Sequence, residues 1–171
     1  MKSTRKMVLL ALFVAQALVL SIVESWIPVP VPIPGIKLGL ANIITIMVIV
    51  FWGFPETLAM VVARVTLASL YTGGFVVFLF SITGGILSAV VMSFAYKWLS
   101  KRLSILGVSI LGSIAHNVGQ LGVASIVMQD WSVMTYLPVL LISGIIMGCF
   151  VGLSSNYLMS ALKKTGIFNS K

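Results

Sequence analysis

The feature that most constrains this chain is a series of six apolar stretches, each near the length of a membrane-crossing helix and each closed by a short break. A bilayer core is about 30 Å thick and a helix rises about 1.5 Å per residue, so roughly 20 apolar residues make a span. Respecting the breaks, the spans fall at about residues 7–27, 37–52, 55–71, 75–98, 104–128 and 133–162. Alternating prolines, Pro28, Pro30, Pro32 and Pro34, end the first, because they lack amide donors and favour an extended backbone. Pro55 and Glu56 suit the first turn of the third span, where a missing N–H is harmless and the helix dipole favours an anion. Spans two and three are short, which suits little tilt or incomplete crossing. The expected fold is an all-α integral membrane protein, a single six-helix domain over residues 1–171.

Charge agrees with this and excludes much else. Only 8% of residues are charged, against about 25% in a soluble domain, too few to cover a water-facing surface. The acidic residues are Glu24, Glu56 and Asp130, a stock too small for a carboxylate-clustered metal enzyme. The lone Cys149 excludes an internal disulfide and a multi-cysteine metal site. A net charge of +8 does not signal nucleic acid, because the basic residues lie in short clusters between spans. Lys2, Arg5 and Lys6 precede span one, Lys97, Lys101 and Arg102 follow span four, and Lys163, Lys164 and Lys171 follow span six. Nine of the eleven basic residues therefore share one side, which the positive-inside rule makes cytoplasmic, with both termini. The first apolar stretch is too long for a cleaved signal and lacks a clear small-x-small site, so it reads as a retained span.

Polar groups at membrane depth are costly and require a reason. Arg64 falls near the middle of span three and Glu24 near the outer end of span one. Two readings stand open: a buried Glu24–Arg64 pair that locks two helices, or Arg64 as a ligand for an anionic or carbonyl-bearing molecule with Glu24 holding it. Span five carries His116, Asn117 and Gln120, the first and last sharing a helix face. These three suit either a binding site or an interhelical network. With one histidine and no acidic neighbour, a zinc site is not expected. Lys37 and Asn42 add polar groups in the outer half, with Gln16 near mid-depth. If they converge, these residues describe a cavity open to the outside.

Gly144, Gly148 and Gly152 on span six, and Gly84 with Ser88 on span four, form stripes that suit close helix packing. Gly73-Gly74 and Gly84-Gly85 lack the lysine and hydroxyl pattern of a phosphate loop. Ala11 and Ala15, four apart on span one, make a flat patch where another helix can dock.

Several strings carry a family likeness: Pro30-Val31-Pro32-Ile33-Pro34-Gly35-Ile36-Lys37-Leu38-Gly39-Leu40-Ala41-Asn42, Arg64, Phe78-Leu79-Phe80-Ser81 with Gly84-Gly85, and Gly112-Ser113-Ile114-Ala115-His116-Asn117-Val118-Gly119-Gln120. Over nearly its whole length the chain resembles the bacterial membrane family labelled heptaprenyl diphosphate synthase component I, also called the Gx transporter family. The first label implies prenyl elongation, which uses magnesium held by aspartate-rich motifs; with Asp130 as its one aspartate, this chain cannot be the catalytic subunit. The second implies similarity to the substrate-binding S components of energy-coupling factor (ECF) transporters. That resemblance implies a first-helix small-residue patch, here Ala11 and Ala15, docking a coupling subunit driven by two ATPases. It also implies substrate entry beneath the loop joining spans one and two, here the proline ladder acting as a lid. No nucleotide-binding loop is present in the sequence, so ATP use would be borrowed. Relatives are also similar to a membrane protein of flavin-linked electron-transfer clusters.

The leading expectation is a non-enzymatic small-molecule capture subunit in the bacterial plasma membrane, with no cofactor or metal of its own. Its ligand would be vitamin-, flavin- or isoprenoid-related, bound by Arg64, His116, Asn117, Gln120, Asn42, Lys37 and Glu24. The alternatives are a non-catalytic accessory of heptaprenyl diphosphate or quinone metabolism or of electron transfer, and a structural anchor.

Overall fold

The computed structural model describes residues 3–27, 37–72 and 74–166. The proline ladder read above as a lid lies outside them. Among the described residues the chain is all helix and turn, with helices α1 (Ser3–Ser25), α2 (Asn42–Phe51), α3 (Phe54–Thr72), α4 (Phe75–Leu99), α5 (Ile105–Met128) and α6 (Leu137–Lys164). A short 3-10 helix, Trp131–Tyr136, leads into α6.

The helix ends follow from local chemistry. Gly53 takes φ +96° between α2 and α3, so the chain reverses within a residue of Trp52. The Thr57 hydroxyl donates to the Gly53 carbonyl at 2.7 Å across the start of α3. Ser104 caps α5 by accepting from the Gly107 amide, and Gln129 closes that helix in the left-handed region. Asp130 then accepts from both the Ser132 amide and its hydroxyl, at 2.8 and 2.7 Å. Those bonds hold its carboxyl below the usual carboxylate range.

Four helical stretches, beginning at Thr4, Phe75, Ile105 and Trp131, are long and apolar enough to cross a membrane. That is compatible with a multi-pass membrane protein, and the outer surface agrees. Met7, Leu12, Leu70, Phe75, Trp98, Ile146 and Leu153 stand exposed on it, far more apolar surface than water-soluble proteins tolerate.

The expected second and third spans, α2 and α3, are not among these four, and the second also changes its start. It was to begin at Lys37, yet the helix starts only at Asn42. Gly39 at φ +94° turns the chain, and the Asn42 amide donates back to the Gly39 carbonyl at 3.0 Å. The ten residues of α2 rise ~15 Å, about half the bilayer core. Its residues 42–49 are all buried, as suits a helix apolar on every side. The other five helices explain this: α1, α3, α4, α5 and α6 neighbour one another in that order and each also touches α2. A half-length helix thus occupies the middle of the bundle.

The remaining seams are close. A side-chain Cβ added at Gly144, Gly148 or Gly152 of α6 would stand 3.4, 2.5 or 2.7 Å from the backbone Cα of Ile114, Ile110 or Leu106 on α5. Rising numbers meet falling ones, so α5 and α6 run antiparallel. The packing role expected for this stripe is what the structure has. At one end of the bundle, Lys6 of α1 pairs with Glu56 at the start of α3.

Candidate functional site

The short α2 leaves its first residue, Asn42, deep in the bundle, and the turn before it lies near polar groups of α1, α3 and α5. Glu24, near the end of α1, is 2% exposed. Its carboxylate accepts from the Gly39 amide, with the Leu40 amide beside it. The Lys37 backbone amide donates to Gln120 Oε1 of α5 at 3.0 Å. The Lys37 side chain is buried within electrostatic reach of Glu24.

That contact fixes the orientation of the neighbouring groups. Because Gln120 Oε1 accepts from Lys37, its amide nitrogen faces His116 Nε2, 3.0 Å away and one helical turn earlier. An amide nitrogen only donates, so His116 Nε2 is the acceptor and the imidazole carries its proton on Nδ1. The Nδ1–H, near the Gly84 backbone, has no partner of good geometry.

Arg64 of α3 reaches the cluster from its other side. It is 4% exposed, and Nη1 donates to the Ser21 hydroxyl of α1 at 2.9 Å. Its Nε and Nη2 have no hydrogen-bond partner, and neither side-chain atom of Asn42 has one. Two bare positions on α4 make the assembly fit. A Cβ at Gly84 would stand 2.9 Å from Gln120 Cγ and 3.1 Å from His116 Cε1, and one at Gly85 would stand 3.3 Å from Arg64 Nη2.

The structure therefore brings together Glu24, Lys37, Asn42, Arg64, His116 and Gln120. The direct Glu24–Arg64 pair does not form: Glu24 is held by backbone amides and Arg64 by a serine, and the two act on one another only at longer range. Asn117 lies apart from these residues. It leaves the cluster, because one residue along a helix turns the side chain by about 100°. Its Nδ2 donates to the Leu140 carbonyl of α6 at 2.7 Å, where it packs beside Gly144. Gln16 is exposed on the outer face of α1 and does not converge with the rest. Ala11 and Ala15 are exposed there too, while Phe13 and Ala17 turn to the core.

Sequence reasoning missed Ser21, Gly39 and the role of Gly84 and Gly85. Ser21 lies three residues before Glu24, on the same helix face, and that spacing was a usable signal. Gly84 reads as a packing residue in sequence and is one, since a Cβ there would stand 2.9 Å from the His116 backbone oxygen of α5; the same bare position also makes room for the His116 and Gln120 side chains.

Chemically the cluster offers two cations against one carboxylate, with free N–H groups on Arg64, His116 and Asn42. Buried polar groups are nearly always paired, so several unpaired ones in one place mark a site suited to an oxygen-bearing ligand. No group of three histidine, cysteine or acidic side chains that could hold a metal occurs among the described residues.

No curated protein and no solved structure gives a significant match to the chain. The model of one family does match, over residues 13–158, a stretch that contains every residue of the polar cluster. The chain belongs to the heptaprenyl diphosphate synthase component I family.

Proposed function

We propose that this protein is a non-enzymatic membrane subunit that captures a small anionic or carbonyl-rich molecule in the polar cluster, in the manner of an ECF-type S component. The observation that carries the reading is Arg64. Its guanidinium lies inside the bundle with Nε and Nη2 unpartnered, within electrostatic reach of the Glu24 that holds the turn into the half-length α2. The amides leading into that helix already hold the Glu24 carboxylate, so an anionic or carbonyl group of a ligand would fall to the Arg64 guanidinium. In this reading the chain crosses a bacterial plasma membrane with both termini in the cytoplasm. The exposed Ala11–Ala15 face of α1 is where a coupling subunit with its ATPases would dock. The ligand would be vitamin-, flavin- or isoprenoid-related.

The family's description supports a second reading, a membrane accessory of heptaprenyl diphosphate or quinone metabolism working beside a separate catalytic chain. A catalytic role is disfavoured by the acidic inventory: Glu24 is tied to backbone amides and Glu56 to Lys6, which leaves Asp130 in a turn.

Native mass spectrometry of the full chain, purified gently from its own membrane, tests the capture reading. A small molecule should be retained by the wild type and lost from Arg64→Met, with melting temperature nearly unchanged. Equal retention by both proteins, or none by the wild type, would sink it.

A further inference from the structure

We infer that the guanidinium edge of Arg64 is a seat for one planar carboxylate, so that the molecule captured is a monocarboxylate and not a phosphate or diphosphate ester. This rests on the capture reading above and names the class of molecule. Charge comes first. Among the described residues the only buried charged side chains are Glu24, Lys37 and Arg64. The other cations and acids lie at or near helix ends. Residues 28–36 contain no ionisable side chain, so the count does not depend on them. His116 is neutral, because its Nε2 accepts from Gln120. Two cations against one carboxylate leave a single positive charge inside the bundle. Such a charge is costly in a low dielectric, and one negative charge from a ligand removes it. A phosphate monoester carries about −1.5 to −2 at neutral pH, and a diphosphate more, so either leaves an excess of the opposite sign.

Geometry narrows the monoanion to a carboxylate. Arg64 Nη1 donates to the Ser21 hydroxyl at 2.9 Å, which fixes the direction of the guanidinium. The atoms left over, Nε and Nη2, are both buried and unpartnered, and they share one edge of the planar fork. Two parallel N–H groups on one edge are what a carboxylate engages with its two oxygens. Glu24, the one buried carboxylate among the described residues, does not take that edge, because the Gly39 amide holds it. The protein's own carboxylate is thus diverted to backbone and the fork is kept free.

Space beside the edge is narrow. A Cβ at Gly85 of α4 would stand 3.3 Å from Arg64 Nη2 and 2.9 Å from Val61 Cγ1 of α3. A flat group on one arm enters such a gap more readily than a tetrahedral phosphodiester on two. The other free groups, the Asn42 amide and the His116 Nδ1–H, add hydrogen bonds without charge. They suit a neutral polar group elsewhere on the same molecule.

The test is the melting temperature of the full chain in a neutral detergent, titrated with three probes at constant ionic strength. Acetate is a planar monoanion, dimethyl phosphate a tetrahedral monoanion like a lipid headgroup, and inorganic phosphate at about pH 8 is largely doubly charged. A probe that binds only the folded state stabilises it. Acetate should act at concentrations about tenfold or more below either phosphate probe. Arg64→Lys keeps the charge but loses the fork, and should remove that preference. Glu24→Gln leaves an acceptor for the Gly39 amide and adds a second excess charge, so inorganic phosphate should gain on acetate by about tenfold. Equal action of the three probes on the wild type, or an acetate preference unchanged in Arg64→Lys, would overturn the inference. So would a phosphorus-containing molecule retained in the native mass spectrum, an outcome that leaves capture itself standing. An acetate preference with nothing retained would instead uphold the carboxylate seat and count against capture alone.

Discussion

Arg64 and Glu24 are oppositely charged, buried and near one another, yet each is held by a neutral partner. That division decides what each contributes to stability. Replacing Glu24 by leucine strips the acceptor from the Gly39 amide and leaves a buried donor unpaired, which costs about 1–3 kcal/mol, more where charge is involved. Replacing Arg64 by methionine removes one bond to a hydroxyl, which by itself costs ~1 kcal/mol and also relieves burial of a charge. We therefore expect Glu24→Leu to lower the melting temperature clearly more than Arg64→Met. A salt-bridge lock predicts equal losses, so similar shifts for the two variants in a detergent thermal melt would contradict this assignment. Much of this was legible in sequence, because a charged residue in an apolar run announces itself. What each charge bonds to was not legible, because Gly39 and Ser21 become partners only once the chain has turned at Gly39 and brought α1 beside α3.

Among the helices, the same logic separates glycines that look alike in sequence. Gly148 of α6 and Gly122 of α5 both interrupt apolar runs. A methyl group on Gly148 would lie 2.5 Å from the Ile110 Cα, against backbone that cannot rotate away, whereas one on Gly122 meets nothing within 4 Å. Gly148→Ala should thus force α5 and α6 apart at an overpacking cost of about 1–3 kcal/mol. Gly122→Ala should be neutral or stabilising by up to ~1 kcal/mol, since alanine loses less backbone entropy in a helix. Thermal melts of the two variants check this, and equal effects would remove the packing account. The small-xxx-small spacing made the first of these readable in sequence. The length of α2 was less so, because Lys37–Trp52 is apolar enough to look like a full span, and the interruption rests on one glycine with positive φ. Pattern alone also merged Asn117 with its neighbours, although a step of one residue sends it to a different helix.

At the scale of the whole molecule, the Lys6–Glu56 pair and the charge pattern argue for one orientation by separate routes. The pair sets the starts of α1 and α3 at the same end of the bundle. Antiparallel packing of α5 on α6, with Gly152 opposite Leu106, brings the start of α5 towards the end of α6. Lys97, Lys101 and Arg102 lie just before α5, and Lys163 and Lys164 close α6, so these basic clusters gather at one end of that seam. The positive-inside rule assigns such an end to the cytoplasm. In the proposed topology the turn at Asp130–Ser132, at the far end of α5, faces outward, and Ser132 is exposed there. In a Cys149→Ser background, which removes the native thiol, Ser132→Cys should react with a membrane-impermeant maleimide in intact cells. A cysteine at Ser100, exposed in the turn between α4 and α5, should react only after the membrane is opened. The reverse pattern would invert the protein and with it the outward-facing reading of the polar cluster. Labelling of both sites from outside would show instead that α5 does not cross, and the polar cluster would lose the depth on which its role in ligand capture depends.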